Sequence, residues 1–230
     1  MSPDEAAALA RSTIVAGFDG TQLDAELAAT FGRSGFGGFI LFARNVESLA
    51  GVRGLTDALR ARYEIGPPPL VVVDQEGGRV ARLREGVEAM PSMMALGATG
   101  DASLAWRAGS QIAFDLRRAG CTLNCAPVLD LAVDADNSAI GTRSLGSDPE
   151  AVARMGAAFA AGLESGGIVA TPKHFPGHGS TAGDSHVELP IVDLSEEAWR
   201  ERDLVPFAAL APGARAMMSA HVVLLSLIHI

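Results

Sequence analysis

The sequence has 230 residues, of which 48% are hydrophobic and 20% are charged, and this composition excludes a disordered tail or a low-complexity scaffold. A chain of this length can bury a sizeable core without help from disulfides or metal ions. Its net charge is −9 and it has no basic block, so nucleic acids and anionic membranes are not expected as partners.

Short apolar runs alternate with amphipathic stretches along the chain. The apolar runs lack polar alternation, which predicts strands that are covered on both faces, as in parallel sheets. They occupy residues 14–18, 37–42, 70–74, 122–127, 168–174 and 214–221. The stretches between them predict helices at residues 47–63, 101–118, from 147 or 148 to 166, and from 195 onwards. The pattern therefore predicts about six strand–helix units in one domain.

Six such units fit either an open doubly wound sheet or most of an eight-unit barrel, whose usual size is about 250 residues. Polar residues directly after the strands favour the barrel; they occur at residues 74–76, at Asp130 and at residues 173–174. In a barrel the carboxyl ends of all strands face one mouth, where active sites are built. We therefore predict an incomplete (β/α)8 barrel of the TIM type, with about six of its eight units.

The segment 173–186, KHFPGHGSTAGDSH, is the richest in chemically active residues. Lys173 and His174 end a predicted strand, so their side chains are expected to be held rigidly. Three glycines later in the segment predict a mobile loop, which carries Asp184 and His186. A carboxylate two residues from an imidazole can accept its N–H and fix its tautomer, which leaves the other ring nitrogen free to transfer a proton.

Two other interpretations of this segment stay open. One is a metal site, because imidazole and carboxylate groups suit zinc, although their spacing here matches no helix-borne zinc motif. The candidate ligands would be His174, His178, Asp184 and His186. The other is a turn-rich loop whose histidines are incidental.

A second segment, VVDQEGGRVAR at residues 72–82, places a carboxylate at a strand end before a Gly-Gly turn. Asp74 can accept two sugar hydroxyls and Arg82 can donate several N–H groups, so the segment is a candidate substrate clamp. A phosphate cradle is disfavoured, because no P-loop pattern is present and two acids precede the glycines. The alternative is a salt-bridged loop.

Other residues with chemical potential are weaker candidates. Arg143 lies in a loop before a helix, free to reach an anionic or hydroxyl-rich ligand, although a surface salt bridge is the simpler interpretation. Cys121 and Cys125 are four residues apart on one predicted strand face and are expected in the core. Three methionines are expected to pack in a core or a pocket wall: Met90, Met93 and Met94.

Several features of the sequence bear on its cellular location. Two cysteines exclude a disulfide framework and favour a reducing compartment. The acidic start of the chain is unlike a secretory signal, and no apolar run reaches the length that spans a bilayer. These features predict a cytoplasmic protein.

Six segments of this sequence occur together in one known enzyme family. The most specific are KHFPGHG (173–179), DSH (184–186), VDQEGGRV (73–80) and RSLG (143–146), and FILFARN (39–45) and AMMSAH (216–221) also fit. Together they resemble the β-N-acetylhexosaminidases of glycoside hydrolase family 3. The resemblance extends over residues 14–222.

The resemblance implies a TIM-type barrel and retaining hydrolysis of terminal β-linked N-acetylglucosamine, without a cofactor. Residues at matching positions would bind the sugar: Asp74, Arg82, Arg143, Lys173 and His174. His186 matches the acid/base of the family, and Asp184 matches the residue that orients it. The expected substrate is a small saccharide or muropeptide derived from the cell wall, and no oligomeric state is predicted.

One part of the family pattern is missing. The nucleophile of the family is an aspartate on a strand beyond His221, and no such aspartate follows here. We therefore expect a truncated barrel domain over residues 1–224, a non-native tail at 225–230, and a chain that lacks the retaining reaction by itself. Its open sheet edges would expose apolar faces. Alternatives are a β-N-acetylglucosaminide phosphorylase and a non-catalytic sugar-binding fragment.

Overall fold

Helices and strands alternate along the chain in the computed structural model, which describes residues 1–62, 67–134, 137–181 and 189–227. The strands β1 to β9 are Val15–Ala16, Gly38–Leu41, Leu70–Val73, Gln75–Gly77, Val80–Ala81, Leu123–Asn124, Val169–Ala170, Ile191–Val192 and Val223–Leu224. The helices α1 to α8 are Pro3–Ser12, Ala25–Ser34, Leu49–Arg60, Met93–Gly97, Ala102–Ala119, Pro149–Ser165, Glu196–Glu201 and Val205–Leu210. Short 3-10 helices occur at Ala43–Asn45, Gly141–Arg143 and Leu225–Leu227.

Five parallel strands form the main sheet, in the order β1-β2-β3-β6-β7. Phe39 lies opposite Val71 and Val73 lies opposite Asn124, which sets the register of the central strands. The order in space is the order in the chain, without the reversal that marks a doubly wound sheet. Crossovers between parallel strands are right-handed as a rule, so this order places the connecting helices on one face of the sheet, as in a TIM-type barrel. In a closed barrel the first strand also pairs with the last one. Among the described strands β1 pairs with β2 alone, so the sheet is open at β1 and the predicted incomplete barrel is confirmed.

The prediction of a strand at residues 214–221 is wrong, because the structure has no continuous strand there. The first residue of this range, Ala214, still donates its N–H to the last turn of α8. Only Ser219 forms a bridge, to Phe175, and the next N–H on that side, that of Gly177, donates to the carbonyl of His174 instead of extending the ladder. The next strand, β9, pairs in parallel with β8.

The predicted helix ends are confirmed at α5, α6 and α7. The carboxylates of Asp101 and Asp148 accept N–H groups of the first turns of α5 and α6, at 2.8 Å and 2.7 Å. Ser195 caps α7 in the same way, and Gly120 ends α5 with a φ of 81°, which favours glycine. Across the part of the chain that the structure describes, no helix combines the length and apolarity needed to cross a bilayer.

Helices α1, α2 and α4 and the β4–β5 hairpin are not predicted from the sequence. α1 buries none of its residues and α4 has only five, so neither shows a long apolar stripe. The hairpin consists of two very short strands that turn at Gly77 and Gly78, where φ is 103° and 56°. The predicted Gly-Gly turn is thus present, but its flanking strands are too short to show alternation.

The cysteines and methionines lie mostly where the sequence predicts. Cys121 and Cys125 are buried and unpaired, and burial raises the pKa of both thiols to about 12. They pack in separate apolar clusters rather than on one strand face, because β6 has only two residues. Met93 is buried and Met90 packs against the core, but the prediction is wrong for Met94, which is 37% exposed.

Helices α5 and α6 meet at backbone contact, which requires glycine at their crossing. A Cβ at Gly162 would lie 2.2 Å from the carbonyl oxygen of Trp106, and one at Gly109 would lie 2.2 Å from that of Phe159. We expect Gly162→Ala to lower the free energy of unfolding by about 1–3 kcal/mol, because the two backbones must separate.

The control for this prediction is Gly54→Ala in α3, where an added Cβ meets nothing within 4 Å. This change should raise the free energy of unfolding by about 0.5–1 kcal/mol, because alanine has the higher helix propensity. Thermal unfolding followed by circular dichroism should therefore give shifts of opposite sign. Shifts of the same sign and size would contradict the close helix crossing.

Candidate functional site

A cavity of about 590 Å³ lies at the carboxyl ends of the parallel strands, a size that suits small-molecule ligands. Its floor comes from residues that follow β3 and β7, and its wall from the β4–β5 hairpin, the turn Gly141–Arg143 and residues 218–221. The cavity brings together the residues that the family resemblance implies for sugar binding: Asp74, Arg82, Arg143, Lys173 and His174.

Lys173 is the only lysine in the sequence, and it is 1% exposed. A backbone bridge to Val128 fixes its main chain. Its Nζ lies 2.8 Å from Oδ1 of Asp74 and 2.6 Å from Oε1 of Glu76. An ammonium group has three N–H donors, so these two contacts within the described residues leave one donor for a ligand in the cavity.

Arg143 is held by Glu76 through two parallel contacts. Its Nε lies 2.9 Å from Oε2 and its Nη2 lies 2.8 Å from Oε1 of that carboxylate, while Nη1 donates to the carbonyl of Ala139 at 2.9 Å. Arg143 forms a salt bridge, as the simpler interpretation predicts, but with the buried Glu76 rather than at the surface. It also lines the cavity, so its predicted contact with a ligand stays a prediction. Contacts with residues in the described ranges use three of its five N–H donors, which leaves two for a ligand.

Two carboxyl groups in the cavity stay ionised because cations surround them. Burial by itself would raise their pKa, since a buried charge loses hydration. The pKa of Glu76 is nevertheless lowered, because the hydrogen bond from Arg143 and the charge of Lys173 together outweigh burial. Burial is likewise outweighed at Asp74, whose pKa is lowered mainly by Lys173 and then by Arg82. Neither group is therefore suited to donate a proton at neutral pH.

Arg82 is placed through its backbone. Oε1 of Gln75 accepts the N–H of Arg82 at 2.8 Å and that of Leu83 at 3.0 Å. Nη2 of Arg82 lies 3.5 Å from Oδ2 of Asp74, and its Nε is buried without a hydrogen-bond partner in the structure as described. The guanidinium group thus keeps unused donors beside the cavity, as expected of a substrate clamp.

His174 is positioned by Asp130, a carboxylate that is 1% exposed. Nδ1 of His174 lies 2.6 Å from Oδ2 of Asp130, and the backbone N–H of His174 donates to the same oxygen at 3.2 Å. Burial would raise the pKa of Asp130, but the charge and hydrogen bonds of His174 and the backbone N–H of His178 lower it. The carboxylate of Asp130 accepts the N–H at Nδ1 of His174. Nε2 is therefore the ring nitrogen through which His174 can contact a ligand.

The first part of the predicted mobile loop is fixed. His178 and Thr181 are buried, with Nδ1 of His178 2.8 Å from Oγ1 of Thr181, and burial lowers the pKa of the imidazole. The Asn137 amide donates to the carbonyl oxygens of His178, Gly179 and Thr181 at 3.0, 3.3 and 3.2 Å. A Cβ at Gly179 would lie 2.1 Å from a backbone oxygen. The prediction of mobility is therefore wrong for residues 177–181.

Asp184 and His186 lie outside the described residues, so the acid/base pair stays a prediction. The alternative metal site has two histidines in the described part, His174 and His178, whose ring centres are 6.0 Å apart. The Nδ1 atoms of both rings already contact protein oxygens. Within the described ranges, no group of three or more metal-ligating side chains is found.

Sequence reasoning does not assign three residues that organise the site: Glu76, Asp130 and Asn137. The two acids carry a usable signal, since each follows a strand at the mouth of the predicted barrel. Asn137 carries none, because its role depends on three carbonyl groups that lie 41–44 residues further along the chain.

Charged groups of both signs line the cavity. The carboxylates of Asp74 and Glu76 pair with Lys173, Arg82 and Arg143, and Arg79 lines the cavity as well. The cations keep unused N–H donors, and the carboxylate of Asp74 borders the cavity as an acceptor. Hydroxyl groups both donate and accept, so a polyhydroxylated molecule matches this arrangement.

Comparison with known proteins finds relatives over nearly the whole chain. Residues 10–228 match the family described as the glycosyl hydrolase family 3 N terminal domain, and this range includes every residue that lines the cavity. A beta-hexosaminidase of Pseudomonas aeruginosa (strain LESB58) is 46% identical over 206 residues, which cover 89% of this chain and 60% of the relative. The chain thus spans less than two thirds of that relative.

Solved structures show the same similarity in three dimensions. A glycoside hydrolase family 3 beta-N-acetylglucosaminidase from Paenibacillus sp. str. FPU-7 is 39% identical with a TM-score of 0.92, over 96% of this chain and 42% of that chain. NagZ from Neisseria gonorrhoeae, in complex with N-trifluoroacetyl-D-glucosamine, is 36% identical with a TM-score of 0.87, over 94% of this chain and 65% of that chain.

Proposed function

Since the chain belongs to glycosyl hydrolase family 3, we propose that its cavity binds the terminal N-acetylhexosamine of a β-linked saccharide. The observation that carries this proposal is the convergence of unused N–H donors and one carboxylate acceptor in a single cavity of about 590 Å³. Relatives named beta-hexosaminidase, and a neighbour solved with N-trifluoroacetyl-D-glucosamine, support this ligand class. The proposed natural source of the saccharide is the cell wall, which rests on the family resemblance.

The proposed role of each side chain follows from its donor and acceptor atoms that have no partner among the described residues. Asp74 accepts a sugar hydroxyl, beside the one unused N–H of Lys173. Arg143 offers two N–H groups and Arg82 offers the terminal N–H groups of its guanidinium, both to sugar or acyl oxygens. Nε2 of His174 is placed for a further hydroxyl.

The proposed reaction is retaining hydrolysis. His186, oriented by Asp184, protonates the departing oxygen and then takes a proton from the attacking water. A carboxylate nucleophile forms the glycosyl intermediate, and the resemblance places this aspartate after His221. The sequence has no acidic residue after Asp203, so the proposed reaction needs a carboxylate from outside these residues, whereas sugar binding does not.

Titration calorimetry with N-acetylglucosamine tests the binding site. We expect saturable binding by the wild-type chain and about tenfold to hundredfold weaker binding by Asp74→Asn, because hydrogen bonds to charged groups contribute about 1.5–3 kcal/mol. Asp57→Asn is the control, since Asp57 pairs with Arg53 at 2.8 Å on the exposed face of α3. Lack of binding by the wild type, or equal affinities for it and Asp74→Asn, would contradict the proposal.

An assay with a chromogenic β-N-acetylglucosaminide, run on a preparation that supplies the nucleophilic carboxylate, separates hydrolysis from its alternatives. Hydrolysis predicts turnover that is independent of added phosphate and survives a chelator. Turnover that requires phosphate would favour the phosphorylase, and turnover lost in the chelator would favour the metal site.

A further inference from the structure

Glu76 is the shared partner of two cations in the cavity, although it is itself 1% exposed. Its Oε1 is 2.6 Å from Nζ of Lys173 and 2.8 Å from Nη2 of Arg143, and its Oε2 is 2.9 Å from Nε of Arg143. Both oxygens are therefore engaged within the protein. Glu76 is thus unlike Asp74, whose Oδ2 forms, within the described part of the chain, one ion-pair contact of 3.5 Å, to Arg82.

The backbone around Glu76 is fixed from both sides. The side-chain amide of Asn124 in β6 accepts the N–H of Gln75 and donates to its carbonyl, each at 2.9 Å. On the other side, the N–H of Gly78 donates to the carbonyl of Met90 at 3.0 Å. The carboxylate therefore occupies a defined position relative to the main sheet, and it can transmit that position to longer side chains.

We propose that Glu76 is the positioning residue of the saccharide site, setting the directions in which Lys173 and Arg143 present their unused N–H donors without contacting the ligand itself. This inference rests on the proposed function, which supplies the ligand. Lysine and arginine side chains are long and lose much rotamer freedom when ordered. A carboxylate that binds both in advance removes this ordering from the binding step, which improves affinity.

Loss of the Glu76 charge would also disturb the acceptor of the site. Among the described residues, Lys173 would keep Asp74 as its carboxylate partner, and the ammonium would then compete more strongly with a sugar hydroxyl for that group. Arg143 would lose its ion pair with Glu76 and keep its contact with the Ala139 carbonyl. The donors Lys173 and Arg143 and the acceptor Asp74 would then lose their fixed positions relative to one another, although none of the three residues is replaced.

The single lysine of the sequence allows a direct test. Protein labelled with ¹⁵N-lysine contains one side-chain ammonium, and its protons are seen by NMR only when burial and hydrogen bonds slow their exchange with water. We expect a resolved Nζ signal in the wild type and its loss in Glu76→Gln, which keeps the shape of the side chain but removes the charge. Glu196→Gln, which breaks an exposed pair with Arg200, should keep the signal.

The second arm measures binding of N-acetylglucosamine to the same three proteins, with folding checked by circular dichroism. Glu76→Gln should bind at least about tenfold more weakly, and Glu196→Gln should bind like the wild type. If Glu76→Gln unfolds at 25 °C, both arms are run in trimethylamine N-oxide, which favours the compact state without supplying a charge.

The two arms separate this inference from the proposed function. A folded Glu76→Gln variant with an unchanged ammonium signal or an unchanged affinity would overturn the positioning role, and so would a wild type without a protected ammonium. If the wild type shows the signal but binds no N-acetylglucosamine, the proposed function fails, and with it the role of Glu76 in saccharide binding. Loss of both signal and affinity in Glu76→Gln alone supports the inference.

Discussion

Replacement of Lys173 by methionine should lower the free energy of unfolding by about 3 kcal/mol, at the lower end of the range for a broken buried ion pair. Methionine keeps most of the length of the side chain but leaves Asp74 and Glu76 without their shared cation. The cost is large because Glu76 is 1% exposed and cannot recover its hydration. The expected loss of stability is not larger, because Arg143 still pairs with Glu76.

Urea unfolding at neutral pH measures this effect. The matched control is Arg200→Met in α7, which breaks a contact of 2.7 Å between Arg200 and Glu196 on the exposed surface. An exposed pair of this kind contributes less than about 1 kcal/mol. If the two variants lost the same free energy of unfolding, the buried ion pairs of Lys173 would contribute no more to stability than an exposed pair does.

The penalty of Lys173→Met should shrink in acid. The pKa values of Asp74 and Glu76 are lowered in the folded state, so their ionised forms contribute stability above the unfolded pKa of about 4. That contribution is lost as the pH falls from about 4 through the lower folded values. A protonated carboxyl group needs no cation, so the two proteins should converge. An unchanged difference at low pH would show that Lys173 stabilises the fold by packing alone.

Replacement of His186 by alanine should have the largest effect on the proposed reaction. In a preparation that hydrolyses β-N-acetylglucosaminides, kcat/KM for a sugar aglycone should fall by about 10²–10⁴, because the departing oxygen then lacks its proton donor. For a dinitrophenyl glycoside, whose leaving group needs no proton, the glycosylation step should slow far less. Steady-state kinetics with both substrates gives the comparison.

Two neighbouring changes sharpen this prediction. Asp184→Asn should reproduce part of the loss, because the imidazole would lose the carboxylate that orients it. Ser185→Ala is the control, since it changes the residue between them without removing an acid or a base. Equal losses for both glycosides in His186→Ala would argue against its role as the proton donor.

Local signals predicted the fold more successfully than the details of the loops. Asp101, Asp148 and Ser195 cap their helices as predicted, because capping depends on residues within one turn. The loop at 177–181 was expected to move because of its glycines, but Gly179 serves close packing instead. A glycine permits both mobility and close approach, and only its neighbours in space distinguish the two.

The sequence by itself determined the alternation of strands and helices, the polar residues at the strand ends and hence the mouth of the barrel. It also carried the motifs that the family resemblance rests on. Only the tertiary structure decided which acid holds which cation. Glu76 and Arg143 are 67 residues apart, and Asp74 and Lys173 are 99 apart. Pairing over such separations depends on how far each side chain reaches across the mouth of the barrel, and no local pattern of residues encodes that distance.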